Sequence, residues 1–123
     1  MEQLASLLLH SQIQTHVYHL RVKGQGSYAA HKALQEYYEA IGDLVDSIVE
    51  AYQGKNDLIE FLPARELDNN ADVNNIVSYL DKLSSAVEKL RKESNLQDSF
   101  LQNEIDNVVT LIYQTKYKLV NLS

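Results

Sequence analysis

Four segments of this chain repeat apolar residues every three or four positions, and the connections between them are short, long and short. That order of loop lengths, more than any single motif, limits how the segments can pack. Only four glycines and one proline occur in 123 residues, so long uninterrupted helices are allowed.

The first segment runs from Glu2 to Lys23. Leu4, Leu8, Ser11, Thr15, Tyr18 and Val22 form one stripe, and Leu9, Ile13 and Leu20 a flanking one, which predicts a helix with two partly buried sides. Gly24-Gln25-Gly26-Ser27 interrupts it, with Gly24 as terminator and Ser27 as N-cap of the next helix. The second helix is predicted from about Tyr28 to Gln53, with Leu34, Tyr37, Ile41, Leu44, Ile48 and Tyr52 facing the core and Gly54 ending it. Gly54 to Ala71 is a long connection holding Pro63 and the polar run Asp68-Asn69-Asn70, with room for a short helix at Asp57 to Phe61. A connection of this length needs a reason, and a crossover between two parallel helices of a bundle is one. The third helix is predicted from about Asp72 to Glu93, stopped by Ser94-Asn95. The fourth runs from about Asp98, a plausible N-cap, to Leu122. The expected fold is all-α. It is a single-domain ferritin-like four-helix bundle spanning residues 1–123, with a crossover between helices two and three that carries a short helix.

Composition excludes several functions. Cysteine is absent, which removes disulfides and thiolate chemistry. No apolar run approaches the ~20 residues of a membrane span. Leu7 to Leu9 is too short for a signal-peptide core and Met1 is followed by Glu2, so a cytoplasmic protein is expected. Eleven basic against seventeen acidic side chains give a net charge of −6, which argues against a partner held by phosphate neutralisation.

His19 and His31 lie six residues either side of Gln25, the centre of the first turn, so an antiparallel hairpin places them at one height. Imidazole suits iron, zinc and copper. Asp46 and Glu50 are four apart and share one face of helix two. These two pairs cannot meet within one chain. His31 and Asp46 are roughly 22 Å apart along a single helix at ~1.5 Å per residue. Either they are unrelated, or helix two meets its own copy antiparallel about a two-fold axis near Glu39-Ala40, which builds two identical sites per dimer. The di-iron site inside a single bundle needs a Glu-x-x-His pair. None exists, and all four histidines precede residue 32.

The run His16-x-x-His19-Leu-Arg-Val-Lys-Gly, followed by His31, Tyr37, Asp46 and Glu50, resembles the signature of the DNA-binding proteins from starved cells, the Dps branch of the ferritin-like superfamily. The resemblance covers the whole chain from helix one. It implies a hollow shell of twelve subunits built from two-fold dimers. Such a shell oxidises ferrous iron, typically with hydrogen peroxide, and stores the ferric product, a role in oxidative stress. It also implies that His19 and His31 of one subunit and Asp46 and Glu50 of its mate are the metal-binding and catalytic ferroxidase residues, at a mono-iron or di-iron site. The sequence departs from the family where Leu20-Arg21 replaces the usual Trp-Asn, where Ser27-Tyr28 replaces an aromatic pair, and where Ala51 follows Glu50. The Lys-rich tail that such proteins use on DNA is not seen before helix one, which again argues against DNA binding.

Other residues read as ordinary. His16 is expected in a surface or interface role and His10 in a structural one; the tyrosines are expected as core and interface filler. Asp57, Glu60, Glu66 and Asp68 are expected as solvated loop charges, with an iron entry path as the sharper reading. The alternative for the whole chain is a non-catalytic ferritin-like assembly or interaction module with weak or no metal binding.

Overall fold

A computed structural model describes residues 1–123. It contains four packed α-helices and no strand: α1 (Glu2–Arg21), α2 (Ser27–Lys55), α3 (Val73–Leu90) and α4 (Ser99–Asn121). A single 3-10 turn, Ser94–Leu96, lies between α3 and α4.

Helix α1 packs on α2 and α3, and α4 packs on the same two, so α2 and α3 stand on one diagonal of the bundle. Ion pairs fix the directions. Lys118 near the end of α4 pairs with Glu36 in the first half of α2, and Lys55 at the end of α2 pairs with Asp98 just before α4. These two helices are therefore antiparallel. Lys116 with Asp81, and Arg91 with Asp106, tie α3 and α4 in the same sense. The segment 56–72 returns along α1, so α3 starts beside the end of α1 and runs parallel to α2.

Polar side chains of α1 hold that return. Ser6 Oγ accepts from the Leu62 amide at 3.0 Å, and His10 Nε2 donates to the Glu66 carbonyl at 3.0 Å. Gln14 donates to the Asp68 carbonyl and accepts from its amide, both at 2.7 Å, and Arg21 Nε donates to the Asn69 carbonyl at 2.8 Å. Asp68 is the knot of the segment. Its carboxylate accepts from the Tyr18 hydroxyl, from Asn75 Nδ2 and from the Asn70 amide.

No short helix forms at Asp57 to Phe61, contrary to expectation; residues 57–72 form neither helix nor strand. Five residues do not repay helix nucleation without a face to bury, and Leu58 is 82% exposed. The amides of Ile59 and Leu62 are taken by Gln53 and Ser6 side chains, and Pro63 pushes Leu62 to extended backbone.

Helix ends also differ from expectation. α1 stops at Arg21, before Gly24, and Val22 is already extended. Gly24 and Gly26 both have positive φ, so the turn itself, not the helix terminus, needs them. Gly26 is the N-cap residue and Ser27 is the first helical residue. α2 passes through Gly54 to Lys55. Asp72 caps α3 by accepting from the Asn74 amide. Asp98 holds the N-cap position of α4, but its carboxylate is spent on Lys55 rather than on the helix backbone.

Between the helices lies one core that includes Leu34, Ile41, Ile76, Leu80, Ile105 and Val108, all without solvent exposure. Each such side chain contributes about 1.5–3 kcal/mol on burial. The flanking stripe of α1 is not buried: Ile13 is 56% exposed and Leu20 is 69% exposed, while Leu9 is half-buried. Val73, the first residue of α3, and Leu122, the residue after α4, are exposed.

Candidate functional site

The antiparallel α1–α2 hairpin brings His19 and His31 together. Their rings stack with centroids 3.6 Å apart and planes inclined at 19°. His19 Nδ1 donates to the His31 carbonyl at 2.7 Å, and His31 Nδ1 donates to the His19 carbonyl at 2.8 Å. A carbonyl only accepts, so each Nδ1 carries a proton, and the neutral form of such a ring has its lone pair on Nε2. An N–H···O=C bond of this kind orients metal-binding histidines in general. The ring arrangement adds a constraint. Metals bind in the imidazole plane at about 2.0–2.1 Å from nitrogen for zinc. Two nearly parallel stacked rings therefore cannot aim both lone pairs at one ion. Each serves its own ion, or one ring turns.

The pair is the centre of a longer row of rings. Tyr38 meets His19 edge-on at 5.2 Å and stacks on His16 at 4.1 Å. His16 stands edge-on to His19 at 5.8 Å, and Tyr28 lies 6.3 Å from His31 on the other side. His16 is exposed, as expected for a surface role, but it is held in place by Tyr38. Tyr38 is the site residue that sequence reading underrated. Helical side chains lean toward their own N-terminus. On antiparallel helices, Tyr38 and His16 therefore lean toward each other across a difference in height.

Tyr37, which carries part of the family resemblance, lies elsewhere. It is fully buried, its hydroxyl 2.7 Å from Ser11 Oγ, and burial pushes the phenol far above its ordinary range. It is a core residue. Tyr18 is likewise raised by burial, and further by its bond to Asp68. Tyr52 accepts from Asn95. His10 clasps the crossover, a structural role.

Asp46 and Glu50 are both exposed on α2, with no hydrogen bond or ion pair in their own chain. They lie far along the helix from the histidines. No three His, Asp or Glu side chains of one chain gather to hold a metal. The structure thus unites His19 with His31 and leaves Asp46 and Glu50 apart from them.

Comparison with known proteins extends over nearly the whole hairpin and bundle. An uncharacterized 14.6 kDa protein of the mobD-ri intergenic region of Enterobacteria phage T4 is 26% identical over 118 residues, covering 96% of this chain and 86% of that protein. No solved structure matches. A family model matches residues 19–119, a span that includes His19, His31, Asp46 and Glu50. The chain belongs to that family, DUF5856, described as a family of unknown function.

Proposed function

We propose that this chain is the subunit of a Dps-like mini-ferritin. Ferrous iron is its substrate, bound at sites shared between two-fold related chains and oxidised there, with hydrogen peroxide as the electron acceptor. The observation that carries this reading is the geometry of the histidine pair: two imidazoles with Nδ1 tied back to carbonyls, which leaves each Nε2 free to bind metal. Asp46 and Glu50 are the matching half. They are exposed, unpaired, and as far beyond Glu39-Ala40 as His31 lies before it. An antiparallel α2–α2 contact through that point sets His19 and His31 of one chain beside Asp46 and Glu50 of the other.

The chemistry follows from the donor set. Carboxylates favour the higher charge of ferric iron, and neutral imidazoles complete the coordination. Two ferrous ions each lose one electron, and peroxide takes both, with two protons, to give two waters. The separated lone pairs of His19 and His31 fit two ions better than one.

The bundle supports the same reading. Its crossover joins parallel helices α2 and α3, the connectivity of ferritin-like folds. The outer face of α1, with Leu9 and Ile13, and the crossover, with Phe61, Leu62 and Leu67, expose apolar surface around a cleft of about 280 Å³. A second chain would cover it. A dodecameric shell is the assembly the reading implies.

One observation favours a second reading. The ring row from Tyr28 to His16 is self-satisfied packing between two helices. A non-catalytic assembly protein would need no more. Anaerobic Fe(II) addition followed by peroxide separates the two. Ferric absorbance that stays with a particle of dodecameric mass supports the ferroxidase. A monomer, or a particle that leaves Fe(II) oxidation at the buffer rate, sinks it.

A further inference from the structure

Helix α2 has five carboxylates and, between its first turn and Lys55, a single cationic side chain, Lys32. Two of its charges are satisfied by α4: Glu36 by Lys118, and Lys55 by Asp98. Lys32 is exposed and has no partner in its own chain; the same holds for Asp46 and Glu50. Lys32 lies seven residues before Glu39 and Asp46 seven after it. Seven residues are two helical turns, so the three share one stripe, with Lys32 and Asp46 each about 10 Å from Glu39 along the axis. An antiparallel copy of α2 centred on Glu39 places Lys32 against Asp46 of the mate, twice by symmetry.

We infer that Lys32 of each subunit is the resident counter-ion of its mate's Asp46 and Glu50, occupying the place a divalent cation takes, so that metal uptake at the shared site is an exchange of metal for ammonium. This rests on the two-chain reading above and adds a regulating residue to it. The occupant of the α2 face is a second copy of this chain, and the complementarity of charge selects it. Lys32 is the positive end of the stripe and Asp46, with Glu50 one turn on, the negative end, so each end meets its opposite when the stripe packs on its own reverse; Glu39, which accepts from Gln35 Nε2, falls at the axis. Without a cation, the mate's paired carboxylates would face each other unneutralised in a closing interface, which is costly. The ammonium meets that need in the metal-free protein. It is a flexible point charge, not a fixed fork, so it can withdraw when metal arrives.

The proposal is tested on the unmodified protein with a zero-length carbodiimide, which joins an ammonium to a carboxylate only where they touch. Lys32 and Asp46 of one chain are roughly 21 Å apart on a rigid helix, so any bond between them must join two chains. In metal-free protein, peptide mapping should find Lys32 linked to Asp46 or Glu50 in a species of dimer mass. Adding Co(II), which does not oxidise under these conditions, should suppress that link by tenfold or more. Lys32→Met, which keeps the length and loses the charge, should bind Co(II) about tenfold more tightly, and Lys32→Arg should stay near the parent. If the protein is oligomeric and Asp46→Ala abolishes Co(II) binding, yet no Lys32 link forms or Co(II) leaves it unchanged, the counter-ion role is overturned while the shared site stands. If the protein is monomeric, or links only through another face, both are overturned.

Discussion

His19 and His31 each donate Nδ1–H to the other's backbone carbonyl, so neither ring can turn without breaking its own bond across the hairpin. The two bonds span twelve residues of sequence and close the α1–α2 hairpin near its turn. Replacing His19 by Ala removes one donated bond, one ring stack and the packing of a nearly buried side chain. The expected loss is about 1–3 kcal/mol, read as a lower midpoint in urea unfolding with unchanged slope. The same loss should follow His31→Ala, and the double variant should cost clearly less than the sum, because the pair acts as a unit. Full additivity would show that the two rings do not depend on each other.

The proposed shared site makes a specific demand on mixed assemblies. His31→Ala and Asp46→Ala should each abolish rapid Fe(II) oxidation, since too few ligands remain. In a mixed dimer, one site collects both lesions and the other is whole. Co-assembled variants should therefore recover up to half the activity of each mixed dimer. Mixed particles that form normally but stay as inactive as either parent would refute a site built from two chains.

Acid should loosen the crossover before it unfolds the helices. Bonds from the Asn70 amide, then from Asn75 and Tyr18, hold the Asp68 carboxyl below its ordinary value of about 3.9. A depressed folded-state value means that this stabilisation is present above pH ~4 and is lost as pH falls through the lower, folded value. Asp68→Asn should destabilise the protein at neutral pH and flatten the part of its stability curve below pH ~4. Amide exchange at Asn70 and Asn75 should report that loosening locally. An unchanged acid limb in Asp68→Asn would remove the carboxylate from the account.

Charge predicts behaviour toward nucleic acid. Each chain carries −6, and the proposed assembly would multiply it. Phosphate backbones are bound by releasing counterions to Lys and Arg, which this balance opposes. No retardation of plasmid DNA is expected at physiological salt without divalent cation. Retardation that weakens steeply with added salt would reveal a basic patch hidden by the net charge.

Most of the architecture was legible because periodicity and loop length are local. The stripes Leu4 to Tyr18 and Leu34 to Ile48 read as helix faces, and they are. The equal spacing of His19 and His31 about Gln25 identified neighbours twelve residues apart, since an antiparallel turn converts spacing to height. What the sequence hid was decided by distant side chains. The crossover looked able to form a helix because nothing nearby shows that Ser6 and Gln53 take its amides. Asp98 looked like a cap because Lys55 lies 43 residues away. Tyr38 looked like filler because its value comes from leaning across two helices onto His16 and His19. The carboxylates Asp46 and Glu50 were legible as a pair, and their distance from His31 offered a two-fold related chain as one of two readings, a choice that spacing within one chain does not make.

The clasping of the crossover by α1 also bears on how the chain reaches its native state. The bonds from Ser6, His10, Gln14, Tyr18 and Arg21 to this segment bridge 48 to 56 residues of sequence. Closing a loop of that length costs about 3.5 kcal/mol in chain entropy before any bond repays it. All five partners lie on α1, and the Ile59 amide adds a bond to Gln53 of α2, so the first hairpin carries every one of these anchors. The hairpin is local and the segment's docking is not, so docking is expected to be the slow step: variants of Gln14 or Asp68 should retard folding more than variants inside either hairpin of equal cost.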